Sequence, residues 1–148
     1  LLIFDEPFTG FDPVNTNLIK DEIRQLKEKG HTIIFSTHRM DSVEELCDEI
    51  ALLHKSEKIL EGRVQAVREK FKEGIYRFEI SGEEPGRLPE GYDLISREKQ
   101  MGYWVLRLRC SENKIPELLR LMADRFHVHS FREEIPSLND IFIKTVQA

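Results

Sequence analysis

The run Leu1-Leu2-Ile3-Phe4, followed at once by Asp5-Glu6, constrains this chain more than any other stretch. A continuous apolar tetrad is the pattern of a strand buried on both faces of a parallel sheet. In such sheets ligands sit beyond the carboxyl ends of the strands. Two adjacent carboxylates there carry a high desolvation cost unless a cation or hydrogen-bond donors compensate. Side chains alternate along a strand, so Asp5 and Glu6 point differently and can take different work. One can help to hold a hard cation such as Mg²⁺, directly or through water; the other can orient or deprotonate an attacking water. Taken alone, the same six residues read as an ordinary strand end with a solvated acidic pair.

The pattern that follows predicts strands alternating with helices. Pro7, Gly10 and Pro13 break regular structure. From about Asn15 a helix is expected with Leu18, Ile19, Ile23 and Leu26 on its apolar face and Lys20, Asp21, Arg24 and Lys27 opposite, stopped by Gly30. Thr32 to Phe35 reads as a second buried strand, and about Asp41 to Cys47 as a short helix. Ile50 to Leu53 and Lys58 to Leu60 read as strands around a turn at Lys55-Ser56-Glu57, before a helix holding Val64, Val67 and Phe71. This predicts an α/β layer with a largely parallel sheet over residues 1–73.

The pattern changes near Gly74. Ile75 to Ile80 alternates apolar and polar residues, as a half-solvated strand does. After a loop rich in Gly, Pro and Glu (81–91), Leu94 to Arg97 and Tyr103 to Arg109 are expected to pair as a hairpin. A helix carrying Ile115, Leu118, Leu119, Met122 and Phe126 follows, then a strand from His127 to Arg132. Ser137, with Asp140 three residues on, opens a last helix. Residues 74–148 are therefore expected to form a small α+β domain. His127 and His129 with Glu133-Glu134 nearby could suggest a metal site, but two histidines without a third placed ligand favour a solvated strand face. Tyr103, Trp104 and Phe131 could form an interaction surface; core is the favoured reading.

Totals exclude some functions. With 22 basic against 27 acidic side chains, a net charge of −5 and no basic block, nucleic acid is not expected as a partner. No apolar run approaches the roughly 20 residues of a membrane-spanning helix. Cys47 and Cys110 lie far apart without metal-ligand spacing, which fits a reduced, cytosolic chain.

The block Asp5-Glu6-Pro7-Phe8-Thr9-Gly10-Phe11-Asp12-Pro13 is followed, after a helix and a strand, by Ser36-Thr37-His38. His38 is therefore expected on the same sheet edge as Asp5 and Glu6, where it can donate to a phosphate oxygen or orient a water. These residues resemble the carboxyl-terminal part of an ATP-binding cassette (ABC) ATPase, in order from residue 1 to about 73. Leu1 to Glu6 resemble the Walker B strand, Thr9-Gly10-Phe11-Asp12 the D-loop, and His38 the switch histidine. The resemblance extends through Cys47 to Leu53 and Lys58 to Gly62, which are similar to the closing strands of that fold. It implies a partial P-loop NTPase sheet, with Asp5 on Mg²⁺ through water, Glu6 as the catalytic carboxylate, His38 at the γ-phosphate, and Asp12 with Asp5 and His38 on the nucleotide side. It further implies Mg-ATP, a second copy of the subunit, integral membrane permease subunits as partners, and a cytoplasmic location on the inner face of the membrane.

Departures accompany the match. None of the eight glycines is followed by lysine, and no Gly-Gly pair exists, so neither a P-loop nor the Leu-Ser-Gly-Gly-Gln signature is present. Phe8 and Phe11 replace smaller residues of the D-loop region. An apolar strand at the first residue reads as a cut through a larger domain, and the exposed sheet edge is expected to drive self-association. The chain by itself is expected to be inactive towards ATP. The second half resembles the small domain that follows the cassette in bacterial exporter ATPases, on Ser137-Leu138-Asn139-Asp140-Ile141-Phe142. The parent is thus expected to be an exporter's ATPase subunit. A soluble, non-transport ABC ATPase, and a module for binding or dimerisation only, stand as alternatives.

Overall fold

The opening apolar run forms β1 (Leu2–Asp5) in a computed structural model that describes residues 1–147. Residue 148, the end of the expected second domain, lies outside the described residues. The chain divides into two compact units, Leu1–Lys70 joined by the segment from Ser137, and Phe71–Pro136. The closing helix thus belongs to the first unit, where the sequence pattern groups it with residues 74–136.

In the first unit β1 pairs in parallel with β2 (Ile33–Ser36), Leu2 opposite Ile33 and Asp5 opposite Ser36. Between them runs α1 (Pro13–Glu28). It starts two residues earlier than expected, because Asp12 caps it and Pro13 supplies a preset helical φ. Its inner face also differs from the expected stripe. Ile23 is buried with Phe8 and Leu46, and Ile19, Ile33 and Phe35 pack around them. Leu18 is exposed, whereas Lys20, assigned to the solvent face by its charge, is buried. The cause is tertiary: Lys20 donates to Glu45 on α2 (Met40–Leu46), and a buried ammonium is tolerated when paired.

β3 (Glu49–His54) and β4 (Glu57–Arg63) form an antiparallel hairpin. Lys55 and Ser56 both take positive φ (47° and 65°), the turn geometry that matches strand twist. The turn is therefore two residues, and both strands are longer than the sequence pattern suggests. Among the described residues, parallel pairing is confined to β1 and β2, against the largely parallel sheet that the sequence suggests, and each of these strands leaves one face exposed. α3 (Val64–Lys70) follows, burying Val64 and Val67.

The second unit is an antiparallel sheet of β5 (Ile75–Ser81), β6 (Asp93–Gln100), β7 (Tyr103–Arg109) and β8 (His127–Glu133), ordered β6-β7-β5-β8. The β6–β7 hairpin extends beyond the expected segment to a turn at Met101-Gly102. Tyr76, Phe78, Ile80, Leu106 and Leu108 form the core face, covered by Leu118 and Met122 of α4 (Ile115–Arg125). Trp104 and Phe131 pack against this core, while Tyr103 is exposed beside His129. α5 (Leu138–Gln147) buries Leu138 and Ile141 in the first unit.

Candidate functional site at the ends of the parallel strands

Parallel pairing sends β1 and β2 in the same direction, so residues 32 apart in sequence meet where both strands end. Glu6 follows β1 with φ of 45°, a backbone region that non-glycine residues seldom occupy and that recurs at functional turns. Its N–H donates to the Ser36 carbonyl at 3.1 Å, and its own carbonyl accepts from Thr9 N–H at 3.1 Å. The turn therefore continues the sheet ladder on one side and closes on Thr9 on the other.

The Glu6 carboxylate is the hub. Oε1 accepts the His38 backbone N–H at 3.1 Å and faces His38 Nδ1 at 2.9 Å. Oε2 accepts from the Thr9 hydroxyl at 3.2 Å and the Thr37 hydroxyl at 3.3 Å. The His38 hydrogen bond above all, helped by Thr9, the His38 charge and Thr37, and opposed by partial desolvation, holds the Glu6 carboxyl below its ordinary value. Asp5 accepts a hydrogen bond from the Ser36 hydroxyl, and it lies opposite Ser36 in the ladder. The structure thus brings Asp5, Glu6 and His38 to one edge.

Asp12 is placed differently. Its oxygens accept from Val14 N–H (2.8 Å), Asn15 N–H (3.0 Å) and Asn15 Nδ2 (2.5 Å), and these bonds hold its carboxyl below the usual value. It caps α1, and the bonds to Val14 and Asn15 engage both of its oxygens. Thr9, Ser36 and Thr37 are the site residues to which sequence reasoning gave no work. Their signal is a hydroxyl next to each strand end, which becomes informative only once pairing is known.

Two helices hold this edge. Each leaves from a strand that carries a site residue, and Glu45 of α2 bridges Lys20 and Arg24 of α1. Lys27 adds bonds to Asp48 (2.7 Å) and the Leu46 carbonyl (3.2 Å). Among the described residues no cluster of three or more His, Cys, Asp or Glu is arranged to hold a metal by itself. Asp5 offers a hard carboxylate oxygen at a solvent-accessible strand end, the donor type that suits a hydrated Mg²⁺.

Fold and site together define an α/β protein whose two parallel strands end in a hydrogen-bonded carboxylate–histidine cluster. Residues 62–146 match the family described as ATP-binding protein DrrA1-3-like, C-terminal domain, over more than half of the chain. The chain belongs to this family. It is similar to an uncharacterized ABC transporter ATP-binding protein, YhaQ, of Bacillus subtilis (34% identical, covering 100% of this chain and 49% of that protein). A counterpart in Alkalihalophilus pseudofirmus is 37% identical over 99% of this chain and 54% of its own length. Nod factor export ATP-binding protein I of Rhizobium meliloti is 33% identical over 97% of this chain and 42% of its own. A solved ATP-binding subunit of an ABC transporter aligns with 47% of this chain and 30% of its own, at 34% identity and a TM-score of 0.43. The chain spans about half the length of the curated relatives it matches. No helix among the described residues is long and apolar enough to cross a membrane.

Proposed function

We propose that the chain is part of the ATP-hydrolysing subunit of an ABC-type exporter, and that Glu6 and His38 form the water-activating end of its nucleotide site. The observation that carries this reading is the 2.9 Å approach of His38 Nδ1 to Glu6 Oε1, made by residues of two different parallel strand ends. Phosphoryl transfer to water depends mostly on positioning and electrostatics. Mg-ATP, when bound, supplies the phosphoryl group and the cation that offsets its charge. Asp5 would hold that cation through water, its orientation set by Ser36. Glu6, kept ionised by its donors, accepts a hydrogen bond from a water and aligns it. With Nδ1–H given to Glu6, the imidazolium form of His38 can donate Nε2–H to a phosphate oxygen. Thr9 and Thr37 fix the rotamer of Glu6.

Domains follow the same reading: residues 1–73 as the closing portion of a cassette, with α5 folded into that unit, and the rest of 74–148 as an accessory domain. In that setting the subunit pairs with a second copy and with membrane permease subunits, on the cytoplasmic side. The 148 residues alone carry no Gly-Lys-Ser/Thr to cradle phosphates, and are proposed to be inactive towards ATP. Glu6→Gln in the longer protein keeps the shape and one acceptor oxygen but removes the charge. ATP binding should persist while turnover falls roughly 10²- to 10⁴-fold, the usual worth of a positioned base. Near-normal turnover in that variant removes Glu6 from this role.

A further inference from the structure

We propose that Glu44 is a positioning residue that ties α5, at the far end of the sequence, to the segment bearing His38. α2 has seven residues and no side-chain cap at its start. Helices this short are not stable alone, so its place is set by what its side chains grip. His38 lies two residues before it, and the backbone of one fixes that of the other.

Two adjacent glutamates of α2 grip different partners. Glu45 holds Lys20 and Arg24 of α1. Glu44 Oε1 accepts the backbone N–H of Leu138 at 2.5 Å, across 94 residues of sequence. Its Oε2 pairs with Arg68 of α3 at 3.1 Å, with both side chains largely shielded from water. The first turn of a helix leaves N–H groups without intrahelical partners, and here the work is divided. Ser137 and Asp140 bond each other: Asp140 Oδ2 accepts the Ser137 N–H (3.1 Å) and hydroxyl (2.6 Å), and Ser137 Oγ accepts the Asp140 N–H (3.1 Å). The next donor, Leu138 N–H, goes to Glu44. Leu138 and Ile141 are almost fully buried beside it, so α5 cannot slide without releasing Glu44. Seating of α5 thereby biases the orientation of α2 and the placement of His38 against Glu6. The functional consequence rests on the site reading above; the mechanical link does not.

The test uses hydrogen exchange and ¹⁵N-imidazole NMR on the 148-residue chain, with His38 assigned through His38→Gln. Glu44→Ala removes the acceptor, Glu44→Gln retains one, and Asp140→Ala loosens the start of α5 without touching any side chain of α2. Glu44→Ala and Asp140→Ala should each speed exchange of the Leu138 to Ile141 amides about five- to tenfold, the worth of one net hydrogen bond. Both should displace the His38 imidazole resonance in the same direction, while Glu44→Gln stays near wild type. An unmoved His38 resonance in both of these variants, or unchanged exchange in α5, overturns the proposal. If the resonance moves but Glu44→Ala leaves turnover of the longer protein unaltered, the link stands and the catalytic reading of His38 falls.

Discussion

Lys20 offers the sharpest energetic test of how the two helices beside the site are held. Its side chain is 8% exposed, it donates to Glu45, and Asp41 stands 3.9 Å away and largely in solvent. Removing one member of a fully buried ion pair costs about 3–5 kcal/mol, because the remaining charge is stranded. Glu45 is itself 41% exposed and Asp41 remains as a weak substitute, so Glu45→Ala should cost about 2–3 kcal/mol. Lys20→Met keeps the apolar stem, removes the charge that needs a partner, and leaves Glu45 with Arg24. It should cost less than about 1 kcal/mol. The decisive variant is the double one: adding Lys20→Met to Glu45→Ala should recover most of the loss, a coupling that two independent sites would not show. Urea unfolding followed by circular dichroism measures it, since 2–3 kcal/mol moves the midpoint by roughly 1–2 M at ordinary m-values. If Lys20→Met is as damaging as Glu45→Ala, or the double variant is worse than either, burial of the ammonium is not what makes this contact costly to break.

Other predictions follow from single contacts. Gly74 has φ of +64° and a Cβ there would meet the Cys110 carbonyl at 2.7 Å, so Gly74→Ala should destabilise by about 2 kcal/mol; an unchanged melting temperature would contradict this. The Glu6 carboxyl titrates below its ordinary value when folded. Its contribution is therefore complete above that ordinary value and lost as pH falls through the depressed one, and Glu6→Gln should flatten stability against pH in that acidic window. Equal slopes in both proteins would mean that the His38 contact contributes nothing. Ile3 and Ile34 are register partners, 70% and 55% exposed, and form an apolar patch with Leu1. Light scattering should find dimers or larger species that Ile3→Lys with Ile34→Lys dissolves; a monomer at high concentration in the unaltered chain would refute the patch argument.

Much of this was readable from residue order because the signals are local. Pro13 after a capping aspartate, Gly30 after Lys29, and period-two alternation at Ile75 to Ile80 each fix backbone shape within a few residues. The faces of α1 were less legible. Polarity put Lys20 outside and Leu18 inside; Glu45, 25 positions away, draws Lys20 in, and Leu18 is left exposed. Asp12 shows the same limit at the site: the motif groups it with Asp5, whereas local capping geometry claims its oxygens.

The amino-acid order by itself determined that one apolar strand would end in two carboxylates and that a second would end beside a histidine, since hydrophobic runs and polar stops are properties of short segments. The burial on both faces that the first run suggests is not found, because Ile3 and its partner Ile34 face solvent. Tertiary structure alone decided which nitrogen of His38 meets which oxygen of Glu6, which hydroxyls hold that carboxylate, and that the last helix is seated on Glu44. Those outcomes depend on strand pairing and burial, and a buried donor takes whichever acceptor the fold carries to it, however remote in sequence.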